Sequence, residues 1–391
     1  MKKKSVGLWA AVGVAFIPAL ALADGAAAPA APAAPGLGDV LTSTGIVALG
    51  HVSASYDAGF NKGDVLAGHA FDSNANTFEL NQAFISLAYQ PASGFGAFAN
   101  VIAGSDAKIV NGSYTPGSSS DFALTQGYVQ YATGALTVIA GRYVTLAGAE
   151  VIDDSQDANI SRSFLFQLAE PLVHTGVRAA YKFDDAWTGY LGFANSAAAG
   201  LSEDNNKPKT VELGGAYAPS TKLSVALTDY YGVDGGGVSG APQAKDNYLD
   251  AVATWQTTDA LQLVANADYF RAVSTVGTAT IAGLAVYGNY AINDSWKASL
   301  RAEYLTTKNG LGAPASCPKA DGKCSLGEIT ATVAYAVAKN FTVLGEVRDD
   351  FSGDKVFPNP GTDPAGTFAE DQAEVAIKGI FTFGNPPPAS P

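Results

Sequence analysis

Apolar and polar residues alternate along most of this chain from Tyr89 to Phe341, and very short turns interrupt the alternation. Between Trp296 and Tyr304, the positions Trp296, Ala298, Leu300, Ala302 and Tyr304 share one face of an extended strand, with Lys297, Ser299, Arg301 and Glu303 on the other. The same split sets Leu249, Ala251, Ala253 and Trp255 against Asp250, Thr254 and Gln256. It sets Leu261, Leu263, Ala265, Ala267 and Tyr269 against Gln262, Asn266 and Asp268. Ile329, Ala331, Val333, Tyr335 and Val337 oppose Glu328, Thr330 and Thr332, and Val173, Thr175, Val177, Ala179 and Tyr181 oppose His174, Arg178 and Lys182. Strands that are apolar on one face and polar on the other suit a closed sheet with lipid outside and water inside.

Seven turns punctuate the strands: Pro91-Ala92-Ser93-Gly94, Thr133-Gly134, Asp184-Asp185, Pro219-Ser220-Thr221, Thr257-Thr258-Asp259, Asn293-Asp294 and Lys339-Asn340. Each is rich in residues that tolerate hairpin geometry. Aromatic residues flank them: Tyr89, Tyr131, Tyr181, Tyr217, Trp255 and Tyr290 come before, and Phe95, Trp187, Trp296 and Phe341 after. This predicts an aromatic girdle at one rim, formed by Tyr89, Tyr131, Tyr181, Trp187, Tyr217, Trp255, Tyr290, Trp296 and Phe341. With an opening strand near Ile46 to Tyr56 and a closing one near Glu374 to Phe383, the count is about 16 strands, or 14 or 18 if one hairpin slips. The expected fold is an all-β, transmembrane antiparallel barrel with short periplasmic turns and long extracellular loops. Such a barrel leaves an aqueous lumen.

Lys2, Lys3 and Lys4 precede an apolar run that closes with Ala21-Leu22-Ala23, so residues 1–23 read as a secretory signal peptide. Residues 24–44, rich in Ala and Pro, read as a periplasmic linker, 45–383 as the barrel and 384–391 as a Pro-rich tail. Loss of the three leader lysines takes the formal charge from −13 to −16, which argues against nucleic acid as a partner. Cys317 and Cys324 are the only cysteines; export favours a disulfide over a metal or redox pair, and there is no Cys-x-x-Cys-His haem motif. No cofactor or metal is expected.

The long connections run approximately over 58–76, 104–120, 144–170, 196–208, 232–246, 271–278, 307–326 and 352–370, and most are polar enough to face solvent. The third differs, carrying Val144, Leu146, Val151, Ile152, Ile160, Phe164, Leu165, Phe166 and Leu168. That much apolar surface must pack, and the inner wall is the nearest partner. The expectation is a loop folded into the lumen, presenting Glu150, Asp153, Asp154 and Asp157, with Arg162, to a pore constriction. Arg178, Arg301 and Arg348, together with Arg142 and Lys182, would face it from the wall and set a transverse field. In the alternative, these charges satisfy one another and the loop backbone.

Several residues around this loop also resemble a known family. Gly141-Arg142-Tyr143, Gly148-Ala149-Glu150, Asn159-Ile160-Ser161-Arg162-Ser163, Phe164-Leu165-Phe166, Pro171 and His174-Thr175-Gly176-Val177-Arg178 are similar to the OmpL-like β-barrel porins of the porin-2 type. The resemblance implies an outer-membrane channel for small hydrophilic solutes. Likeness to general porins implies a homotrimer. One departure is that the terminal aromatic Phe383 is followed by Gly384 to Pro391. Ser161, Ser163 and His174 can be drawn as pieces of a hydrolase, but no Gly-x-Ser-x-Gly elbow is present and His51 and His69 lack a clear acid partner, so no enzyme is expected. The other functional readings are a plugged barrel for adhesion or partner binding, and a sheath around an electron-transfer conduit.

Overall fold

The computed structural model describes residues 41–61, 63–114, 119–197, 206–234, 243–310, 317–359 and 368–385. The expected leader, most of the 24–44 linker and residues 386–391 lie outside the described residues. Sixteen strands close into one antiparallel barrel. They are β1 Val47–Gly59, β2 Thr77–Tyr89, β3 Gly94–Ala103 and β4 Phe122–Thr133. Next come β5 Leu136–Val144, β6 Val173–Lys182, β7 Trp187–Ala194 and β8 Thr210–Ser220. These are followed by β9 Leu223–Asp234, β10 Ala244–Gln256, β11 Leu261–Ser274 and β12 Gly277–Ala291. The last four are β13 Trp296–Lys308, β14 Lys323–Ala338, β15 Phe341–Phe351 and β16 Asp371–Asn385. The closing strand thus runs two residues past the Phe383 boundary expected for the barrel. It pairs with β1, with Gly50 opposite Phe383. A Cβ at Gly50 would stand 2.6 Å from the Phe383 ring and 2.8 Å from the Phe84 carbonyl oxygen, so the seam requires glycine there.

Alternation places the side chains as lipid requires. Leu227, Leu300 and Tyr304 are more than half exposed on the outer face, whereas Arg301, Glu303, Glu328 and Thr330 are buried inside. An outer surface carrying this many exposed Leu, Val, Ile and aromatic side chains far exceeds what water tolerates on a monomer. Near the rim that holds the short turns, aromatic rings pair across strands: Trp187 with Tyr217 at 4.3 Å between centroids, Trp296 with Tyr335 at 4.5 Å and Phe95 with Tyr131 at 4.9 Å. Leu300 lies between Gly288 and Ala331 in the middle of its strand. Leu300→Arg should therefore destabilise the folded barrel in bilayers by about 2–4 kcal/mol. Reversible urea unfolding measures this, and an unchanged midpoint would mean that Leu300 does not meet hydrocarbon.

The loops differ from expectation in two respects. The connection expected over 271–278 is a tight hairpin, since Ser274 pairs with Gly277 and the strands continue to that point. The first two loops are also not simply solvent-facing. Residues 60–76 bury Leu66, Ala67, Ala70 and Phe71, and the second loop forms helix α1, Ser105–Tyr114, which buries Ala107 and Val110. One turn apart on the helix, these two residues make a small apolar face that meets Ile102, Ala123 and Phe84 of the wall. A disulfide joins Cys317 to Cys324, with Cα atoms 5.8 Å apart, and ties the seventh loop to the start of β14.

Candidate functional site

The third loop, residues 145–172, enters the barrel and is bound there by wall side chains that recognise its backbone. At its start the Leu146 amide donates to the Tyr230 hydroxyl at 3.0 Å, and the Ala149 amide donates to Asn266 Oδ1. Deeper in, the Ile160 and Ser161 amides donate to the two oxygens of Glu346 at 2.6 and 2.9 Å. The Phe164 and Leu165 amides do the same to Glu303, at 2.6 and 2.7 Å. These last two open helix α2, Phe164–Leu168, whose N-cap Ser163 accepts from the Phe166 amide. A carboxylate and a hydroxyl thus satisfy amides that a helix start leaves without partners.

Arg301 is the centre of the anchoring network. It is wholly buried, donating from Nε to Glu328 at 2.6 Å, from Nη1 to Glu150 at 2.7 Å and to the Ser161 carbonyl at 2.8 Å. Its Nη2 reaches Ser161 Oγ at 2.9 Å and Thr330 Oγ1 at 3.2 Å. Arg348 donates to Asp350 and to the Arg162 carbonyl, both at 2.6 Å, and its guanidinium lies 4.8 Å from the centre of the Phe164 ring. Arg162 pairs with Asp157 at 2.7 Å. Asp154 accepts from Ser53 at 2.6 Å and lies 2.8 Å from His51 Nε2 and 3.4 Å from Lys378.

This geometry corrects the expected division of charge. Glu150 and Arg301 do not stand across an aqueous gap; they are in contact, as are Asp154 and Lys378, because buried charges at this depth need direct partners. The other expected wall cations lie elsewhere. Arg178 donates to Glu212 at 2.7 Å and packs 4.2 Å from the Tyr143 ring centre; Arg142 donates to the Leu124 carbonyl; Lys182 pairs with Asp185 beside a short turn. Ser161 and His174 have separate partners, Arg301 for the first and the Ser196 carbonyl with a stacked Tyr230 ring for the second. Sequence reasoning missed Glu303, Glu346 and Lys378 as anchors. Their alternation marked Glu303 as inward, but nothing in it said that a loop amide would be the partner.

The loop tip is the most open part of this segment. Ser155 and Gln156 are exposed, and Asp153 and Asp157 are partly so. A cavity of about 660 Å³ runs between the loop and strands β1–β5, from Leu49 and Phe383 to Thr145 and Leu172. A second, of about 520 Å³, opens toward the short turns past Asp259, Asp294, Lys297 and Lys339, and a third, of about 300 Å³, lies against Val252, Thr254 and Gln262. Gln156 lines all three.

Burial governs the protonation of the loop groups. It drives Glu170 well above the usual carboxylate range, reinforced by Asp268 and Asp250. Burial would raise Asp154 too, but Lys378 and His51 outweigh it and hold the group low. His69 is opposed by burial and by Arg348, yet Asp72, Asp350 and Glu374 raise it to about 10. Asp106 of α1 is raised by burial to about 7, with Lys378 only partly opposing. A raised acid makes its stabilising contribution below the unfolded pKa and loses it as pH climbs through the folded value. Wild-type stability should therefore decline between about pH 4 and pH 7 more steeply than that of Asp106→Asn. Identical slopes in chemical denaturation across that range would contradict the assignment.

Residues 45–383 match the family described as "Putative beta-barrel porin-2, OmpL-like". No curated protein matches the sequence. Among solved structures, the anion-selective porin from Comamonas acidovorans aligns with a TM-score of 0.61 at 11% identity, covering 86% of this chain and 99% of that one. The outer membrane channel DcaP of Acinetobacter baumannii aligns at 0.59 with 12% identity, over 86% and 97% of the two chains. The trimer form of OmpT, an outer membrane protein of Vibrio cholerae, aligns at 0.58 with 13% identity, over 86% and 99%.

Proposed function

Because the chain belongs to the OmpL-like β-barrel porin-2 family of the outer membrane, we propose that it is a passive diffusion channel for small hydrophilic solutes and ions, narrowed by its third loop. The observation that carries this reading is the placement of the loop tip, where Gln156 borders three cavities beside the loop. A solute passing from the short-turn rim meets Ser155, Gln156 and Asp157 first, and beyond them a passage beside β1–β5. The vestibule carries Asp259 and Asp294 as well as Lys297 and Lys339, so both signs of charge line the approach. The aromatic residues beside the short turns form the periplasmic girdle in this reading. The trimer form of the Vibrio cholerae neighbour supports a homotrimer.

A second reading, a plugged barrel that binds partners through its outer loops, draws on the buried clusters that the first three loops form with the wall. Swelling of proteoliposomes separates the two. A diffusion channel admits small sugars at rates that fall with solute size. Swelling no faster than in protein-free liposomes, from a verified folded barrel, would sink the channel reading in favour of the plug.

A further inference from the structure

The inner wall and the first loop place three metal-ligating side chains together beside Phe164 of α2. His69 Nδ1 lies 2.8 Å from Asp72 Oδ2 and 3.7 Å from Glu374 Oε1. All three residues are buried, and their ligand atoms fall within 4.8 Å of one another. Tetrahedral legs of about 2.0–2.1 Å, as zinc makes to imidazole nitrogen and carboxylate oxygen, imply ligand separations of about 3.3 Å, within the observed spread.

The independent sign of a ligand is Glu374. It is 2% exposed, yet neither carboxylate oxygen accepts a hydrogen bond, and Asp72 Oδ1 is also without one. A doubly protonated His69 would serve Asp72 at hydrogen-bond distance and leave Glu374 unsatisfied, a costly arrangement for a buried carboxylate. On its other side, His69 Nε2 lies 2.7 Å from Asp350 Oδ2, which also accepts from Gln372 Nε2 at 2.8 Å. A carboxylate behind one imidazole nitrogen fixes the tautomer so that the other nitrogen offers its lone pair to a metal. The nearby cation Arg348, cross-strand from Glu374, spends Nε on Asp350 and Nη1 on the Arg162 carbonyl, and its Nη2 donates to neither Glu374 oxygen.

We propose that His69, Asp72 and Glu374 bind one divalent transition-metal cation of the zinc type, with water completing its coordination. Binding releases the Nδ1 proton of His69 to solvent and leaves Nε2–H on Asp350. The metal would join the first loop to β16 directly behind the constriction loop. Gly68 packs so closely on Phe164 of α2 that a Cβ there would lie 2.7 Å from its ring, and the His69 ring meets Phe164 edge-on at 6.3 Å. The site is separate from the proposed channel and its test does not depend on conductance.

The test uses the folded, untagged full chain in detergent, stripped with chelator and titrated with Zn²⁺ by calorimetry, with Co²⁺ absorption as a second readout. The expected result is one equivalent bound, lost in His69→Ala and in Glu374→Gln, and weakened about 10–100-fold in Asp350→Asn. His51→Ala, which alters the neighbouring His51, Asp153 and Asp154 group, should bind as wild type does. Should Glu374→Gln fail to fold, Asp72→Asn replaces it. Absence of saturable binding to folded wild type would overturn the site, and so would binding retained in the folded ligand variants or lost in His51→Ala.

Discussion

Arg301→Ala should release the third loop from the wall and raise the unit conductance of the reconstituted protein. The side chain is fully buried and serves Glu328, Glu150, the Ser161 carbonyl and hydroxyl, and Thr330 together. Its removal leaves the buried Glu150 without its cation and Glu328 with only Arg348, whose Nε is 4.0 Å away. Breaking such a pair by deleting one partner costs about 3–5 kcal/mol. Neighbouring strands hold the barrel itself, so the loss falls on the loop, the one element that can move away. Arg301→Lys keeps the charge but cannot reach all of these acceptors, and its effect should be smaller. A conductance equal to wild type in the alanine variant, from a barrel that has folded, would contradict the anchoring role.

Glu303→Gln combined with Glu346→Gln should loosen the same loop through its backbone. Each carboxylate receives two consecutive loop amides, Phe164 and Leu165 at one site and Ile160 and Ser161 at the other. A glutamine retains one carbonyl oxygen but turns an NH2 toward the second amide. Hydrogen bonds to charged groups contribute about 1.5–3 kcal/mol, so amide exchange at residues 160–165 should quicken by about 10–100-fold per site. Exchange across 160–165 as slow as in wild type would mean that packing of Phe164, Leu165 and Phe166 holds the loop unaided.

The barrel was legible because lipid leaves few alternatives for the backbone. Alternation in β10, β11, β13 and β14 marks inward Asp250, Asn266, Arg301 and Glu328 correctly, and all seven short turns fall where hairpin residues cluster. The first strands read less clearly for a physical reason. In β2 the outward set begins at Phe78 and Leu80 and then shifts to Ile85, Leu87 and Tyr89, across an irregularity opposite Ser53 and Ala54. In β4 it shifts from Phe122 and Leu124 to Val129 and Tyr131, near another at Asn100 and Val101. One extra residue at a bulge reverses every later side chain, and no period-two pattern survives it.

Inside the lumen, sequence located the inward loop from its surplus of apolar residues but not its partners. Glu346 and Arg348 belong to β15 and Glu303 to β13, some 140 to 190 residues from the amides and carbonyl they bind. Which inward charge meets which loop atom depends on how the chain descends through the barrel, and alternation carries no record of that path. The inward turn of the first two loops was missed because Leu66, Ala67, Ala70 and Phe71 are spread among glycine and polar residues. His69 likewise gave no sign of its partners, since Asp350 and Glu374 come from strands at the far end of the chain.

Single-channel recording of wild type beside a variant lacking residues 154–158 asks whether the third loop narrows an open channel. That deletion removes Gln156 from the junction of the three cavities together with the Asp154 contact to Lys378. Discrete ohmic steps in wild type that grow in the deletion variant are the predicted result. Equal step sizes in the two proteins, or silence in both despite folded barrels, would contradict a channel narrowed by its third loop.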